Sequence, residues 1–327
     1  MRVGVVLLEL LLVTVHAGAM QEPLAFLRAI ELPGVEGRID HLAFDPATRR
    51  LYVAALGNNS VEVLDAGPGT HLKSLPGFRE PQGIAVLPDV RSVAVANGEG
   101  DGVQLIGAED YRIGSAIRLG DDADNVRYDP AAKRVYVGFG SGALAAIDPA
   151  SAKVLAQAKL AGHPESFQLE RGGPRVFVNV PTAQHVAVVD RGSMKVTATW
   201  PVTSAGANYP MALDEAHHRL FVGCRKPAKA LMFDTDSGKP IDSADIVGDT
   251  DDMFFDARRN RLYVIGGEGF IDVLDTSASA RLTRLTRIEG APGARTGLIA
   301  SIQDRLYLAV PHRGRQHAAI RVYDLHD

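Results

Sequence analysis

A four-residue pattern recurs seven times along this chain of 327 residues: a basic position, an apolar residue, an aromatic and an aliphatic. The copies are Arg50-Leu51-Tyr52-Val53, the degenerate Ser92-Val93-Ala94-Val95, Arg134-Val135-Tyr136-Val137, Arg175-Val176-Phe177-Val178, Arg219-Leu220-Phe221-Val222, Arg261-Leu262-Tyr263-Val264 and Arg305-Leu306-Tyr307-Leu308. Their first residues lie 42, 42, 41, 44, 42 and 44 positions apart. A period of about 40 to 45 residues holding several short apolar runs is the signature of propeller blades. The sequence therefore predicts an all-β fold, a seven-bladed β-propeller of four-stranded antiparallel blades.

The first unit shows how a blade reads. Apolar runs at 42–44, 50–55, 61–64 and 71–75 are separated by turn residues at 45–48, 57–59 and 65–69, the pattern of an antiparallel meander. Asp148, Asp190, Asp234, Asp275 and Asp324 end third strands, where an aspartate closes a tight turn by accepting from nearby amides. The last unit stops after its third strand, at 322–324. Residues 26–34 read like the outer strands expected at 113–120 and 282–290. Residues 24–33 should thus pair with 318–324, closing the ring and hiding both sheet edges.

The first 19 residues fall outside the repeat. Arg2, an apolar run over 3–15 and small residues at 15–19 read as an export signal, though Glu9 interrupts the run and Met20 is an alternative start. The run is shorter than the ~20 residues of a membrane span. With 1–19 removed, residues 20–327 form one propeller of 44 residues per unit, expected to be monomeric and periplasmic or secreted. The single cysteine, Cys224, excludes an intramolecular disulfide. A net charge of −4 gives no basic footprint for nucleic acid.

The Arg-Leu-Tyr-Val units, each followed by a turn and a Val-x-Val-x-Asp strand, resemble the bacterial YVTN or YncE-like seven-bladed propellers over essentially the whole mature chain. More distantly the architecture is similar to gluconolactonase-like (SMP-30-like) and paraoxonase-like propellers and to virginiamycin B lyase. The lactonase resemblance implies a metal in the central channel and hydrolysis of lactones or esters. It specifies fold more than activity, because propellers host many unrelated chemistries.

The period also sorts loops by face. In a meander, the segments leading into first strands and the turns between second and third strands share one face. Leading segments at 38–41, 80–83, 121–125, 163–166, 208–210, 249–252 and 294–296 carry nine carboxylates, so the channel mouth should attract a divalent cation. Calcium, magnesium or manganese suits oxygen donors better than zinc. Candidate ligands are Glu80, Asp124, Asn125, Glu165 and Asp251. His41 and His163 are acid–base candidates or nitrogen donors. Gln82, Tyr209, Arg225, Arg295, His312 and Arg313 are candidates for holding a small polar or anionic ligand.

Two chemistries suit these residues: hydrolysis by a metal-activated water, and proton transfer at a stabilised enolate. The residue types permit both and select neither. A non-catalytic propeller binding a solute or a protein on this face is the alternative. The opposite face, with turns at 47–49, 131–133, 215–218 and 257–260, reads as ordinary surface, and His217-His218 as a turn rather than a metal pair. Cys224, despite Arg225 and Lys226 beside it, reads as a buried strand-end thiol. No Gly-x-Ser-x-Gly, phosphate-binding loop, dinucleotide fingerprint or haem-attachment motif occurs.

Overall fold

The computed structural model describes residues 21–100 and 102–327; the expected export signal at 1–19 lies outside them. Seven sheets form the molecule, each running outward from an innermost strand. In blade 1 the strands are Leu42–Asp45, Arg50–Ala55, Ser60–Asp65 and Thr70–Pro76. Among the described residues no helix is long and apolar enough to cross a membrane.

The repeated tetrad is the second strand of every blade, and it is apolar on both of its faces because each face meets a different neighbour. Leu51 and Val53 pack with Tyr307 and Ile320 of blade 7. Tyr52, pointing the other way, joins Ile84 and Val93 of blade 2. Alternation of side chains along a strand thus feeds two cores from one run. Seven such inter-blade clusters follow one another around the ring. At Arg50, Arg175, Arg219 and Arg305 the basic residue of the tetrad is an ion-pair partner at the strand end: Arg50 reaches Asp65 at 2.6 Å and Arg305 reaches Asp324 at 2.6 Å. The third-strand aspartates close turns as expected; Asp190 accepts from the Ser193 amide at 2.8 Å and its hydroxyl at 2.7 Å.

Ring closure follows the sequence. Leu24–Glu31 lies antiparallel to Ala319–Leu325, from Leu24 opposite Leu325 to Glu31 opposite Ala319, and becomes the outermost strand of blade 7. Leu24, Ile30 and Leu32 are buried there. Blade 2 departs from expectation. It has three strands, Pro81–Leu87, Ser92–Asn97 and Val103–Gly107, and residues 113–120 attach only through bridges between Ile106 and Ile113 and between Val103 and Ile117. Gly114 and Gly120 interrupt that stretch, and a glycine in a strand gives up both packing and backbone restraint.

Candidate functional site

The register of each blade locates one channel-facing position in each blade. The fourth tetrad residue pairs with Leu42, Ile84, Val126, Phe167, Met211, Met253 or Gly297 of the innermost strand. Two residues before those partners stand Asp40, Gln82, Asp124, Glu165, Tyr209, Asp251 and Arg295. All seven line a cavity of about 280 Å³ at the mouth of the channel. In blades 2, 3, 5 and 6 the ladder is irregular beside this position. Such irregularities turn a side chain out of the pleat, here into the channel. Gly83 sets the spacing between two blades, since a Cβ there would lie 2.1 Å from the Asp124 carbonyl oxygen.

Charges in this mouth are matched rather than simply acidic. The cavity is lined by five carboxylates, from Asp40, Asp122, Asp124, Glu165 and Asp251, and by Arg38, Arg225 and Arg295 with His41 and His163. Arg225 donates from Nη2 to Asp251 Oδ1 at 2.6 Å and from Nε to the Thr250 carbonyl at 2.8 Å, and it lies 3.7 Å from the centre of the Tyr209 ring. Arg38 donates to Asp40 at 2.9 Å and approaches Asp251 at 3.6 Å. Arg295 Nη1 donates to Asp249 at 3.0 Å.

With no cation in the mouth, neighbouring carboxylates favour the protonated form of both histidines. Burial by itself would lower the His41 pKa, but Asp252, 3.3 Å from Nδ1, and Asp40, 3.7 Å from Nε2, raise it to about 10. His41 is therefore a fixed cation that can donate but cannot act as a base near neutrality. His163 is likewise opposed by burial and raised to about 9 by Asp124, the Gly140 carbonyl and Asp122. Its Nδ1 donates to Gly140 at 2.6 Å, which leaves Nε2 directed at Asp124, 3.8 Å away. A backbone acceptor on one ring nitrogen is how proteins orient the other as a metal ligand.

Asp124, His163 and Glu165 each present a ligand atom within 4.8 Å of the other two. Glu165 makes no side-chain hydrogen bond or ion pair among the described residues, and burial first, then Asp124 and Asp251, push its carboxyl up to about 8. Burial also raises Asp251 to about 7, against Arg225. Two polar atoms in the lining lack partners. Asn125 Oδ1, in a residue 3% exposed, accepts no hydrogen bond, and the buried Nε of Arg295 donates none. Buried polar groups are usually paired, so one acceptor and one donor are left for a guest.

Of the sequence candidates, Asp124, Asn125, Glu165, His41, His163, Gln82, Tyr209, Arg225 and Arg295 line this cavity. Asp251 lines it too, but its carboxylate is engaged by Arg225 and Arg38 rather than gathered with Asp124. Glu80, His312 and Arg313 do not line it. Glu80 is exposed, with a left-handed backbone held by its amide donating to Asn59. His312 pairs with Glu36 at 2.6 Å on the outer surface, and Arg313 is exposed. Arg313 lies over Gly293, in a turn closed by the Arg313–Gln316 bridge. Arg38, Asp40 and Asp252 were missed as site residues. The period locates Asp40, by its equivalence to Asp124 and Asp251. Cys224 is fully buried, and burial pushes its thiol up to about 12. His217 and His218 bond separately to Asp214 and Asp236.

No family model matches the sequence, and no curated protein does. Solved structures share the fold. A chain from the crystal structure of a mitotic checkpoint complex superposes with a TM-score of 0.78 at 13% identity, covering 98% of this chain and 99% of that one. A chain of Kuenenia stuttgartiensis hydrazine synthase gives 0.72 at 16% identity, covering 85% and 95%. At such identities the likeness shows a seven-bladed propeller and nothing finer.

Proposed function

We propose that the channel mouth binds a divalent cation through Asp124, His163, Glu165 and the Asn125 carbonyl, together with a small anionic or carbonyl-bearing ligand on Arg225, Arg38 and Arg295. The observation that carries this reading is the convergence of Asp124, His163 and Glu165 beside an unpaired buried amide oxygen. The donor set of three oxygens and one imidazole fits calcium, magnesium or manganese. A cavity of about 280 Å³ holds the equivalent of roughly nine liquid waters, so the ligand is small.

Hydrolysis of a lactone or ester is the reaction class the geometry supports best. A divalent ion held there supplies Lewis acidity and an acidified water. Arg295 Nε, with no partner of its own, is free to donate to a ligand oxygen, while Arg225, flattened on Tyr209, keeps Nη1 for a ligand carboxylate oxygen. Asp251, titrating near neutrality, is suited to take a proton from water. The tetrads support a YncE-like lineage, and residues 1–19 support export to the periplasm or beyond as a monomer.

A second reading, binding without turnover, is favoured by one observation: each guanidinium in the lining already has a carboxylate partner. Gel-filtered protein should carry one calcium, magnesium or manganese ion per chain by elemental analysis, and Glu165→Gln none. A panel of lactones and esters should then turn over only with metal. Absence of metal from the native protein would sink the cation site; metal without turnover would leave the binding reading standing.

A further inference from the structure

The opposite end of the channel is not ordinary surface. It opens into a vestibule of about 760 Å³ set among blades 1 to 4, adjoining a mid-channel cavity of about 400 Å³ that shares Phe44, Val86, Arg127, Tyr128 and Gln168 with it. Its apolar wall includes Phe44, Val86, Pro88, Pro130 and Leu169.

Every carboxylate in this vestibule is already neutralised. Asp89 accepts from the Tyr128 hydroxyl and lies 3.1 Å from Lys133. Asp129 pairs with Arg191 at 2.6 Å, and Glu170 with Arg175 at 2.5 Å. Two guanidiniums remain without a carboxylate partner among the described residues. Arg127 donates only to the Val126 carbonyl at 2.9 Å and weakly to Ser166 Oγ at 3.4 Å. Arg171 stands exposed at the rim. Neither Arg127 nor Arg171 has a carboxylate within ion-pair distance among the described residues, although the Glu215 carboxylate accepts from the Arg171 amide at the rim and Asp252 and Asp124 act on Arg127 at longer range; both guanidiniums stand beside the apolar wall.

We infer that this vestibule is a second ligand site, taking an amphipathic monocarboxylate of the medium-chain fatty-acid kind: its carboxylate sits on Arg127 within the field of Arg171, and its chain lies on Phe44, Val86, Pro88 and Leu169. Neither component suffices alone. An anion without a body leaves the apolar wall wet, and an alcohol leaves Arg127 uncompensated. The site needs no metal, so its fate is independent of the reading of the upper mouth.

Isothermal titration of the full chain with octanoate, 1-octanol and acetate, in the absence of divalent cations, tests it. Octanoate should bind once per chain and at least tenfold more tightly than either 1-octanol or acetate. Arg127→Met should weaken octanoate at least tenfold. Arg171→Glu, a change at the exposed rim that leaves the fold in place, should weaken it severalfold even if Arg127→Met does not fold. Octanol binding as tightly as octanoate, acetate doing so, or octanoate affinity unchanged in Arg171→Glu would each overturn the assignment.

Discussion

The two mouths of one channel are built from opposite ends of the same seven innermost strands, yet they solve the placement of charge in opposite ways. Above, each blade turns out one polar residue, four of them beside an irregular ladder, and carboxylates meet guanidiniums and imidazoliums in near balance. Below, the strands run regularly into their turns, whose acids are occupied locally, and Arg127 is left against an apolar wall. A matched site favours a guest that brings charge of both signs, as a cation with its anion does. An unmatched one favours a single anion with a greasy body.

The largest test of this contrast attacks what the mouths have in common. Removing residues 21–33 opens the ring and takes away the burial of Leu24, Ile30 and Leu32, each worth about 2 kcal/mol. The melting temperature should fall by roughly 10 °C or more, with metal and octanoate binding lost together. An unchanged melting temperature would show that closure does not hold the ring. Gly83→Ala separates the mouths. Its new Cβ must push the Asp124 backbone aside, an overpacking cost of about 1–3 kcal/mol. Metal affinity should drop while octanoate binding is retained, and equal loss of both would erase the distinction.

The smallest effect is a pH dependence confined to the upper mouth. Glu165 and Asp251 are raised to about 8 and about 7, and His163 and His41 to about 9 and about 10. In each case the folded state holds its proton more tightly than the unfolded chain, so this stability is present at low pH and is lost as pH rises through these values. Without divalent cations the melting temperature should decline from pH 6 to pH 10. Cation binding, which needs Glu165 and His163 deprotonated, should strengthen over the same interval and oppose the decline. A flat profile in metal-free protein would mean these groups are not coupled to folding.

Much of this was legible in the sequence because a propeller repeats its geometry. The tetrads are second strands, and the missing outer strand of blade 7 is supplied by Leu24–Glu31. Spacing likewise places Asp124, Glu165, Tyr209 and Arg295 on one ring. What spacing does not encode is which way a loop tip leans: Glu80 and Arg313 share the face of the ring without reaching the bore. Nor does it encode who is already spoken for. Asp251 is acidic and correctly located, but Arg225 from the neighbouring blade occupies it. Arg127 was passed over because one arginine in a strand carries no signal until its neighbours are known to lack a matching charge.

The closing strand has a mechanical corollary. Leu24 and Leu325 face each other at the same end of an antiparallel pair, and the His326 amide still donates to the Pro23 carbonyl at 3.0 Å. Force applied through the two termini therefore loads those hydrogen bonds one after another, as a zipper, instead of all at once in shear. The ring resists heat as a closed circle but offers a tug on its ends the easiest seam to open.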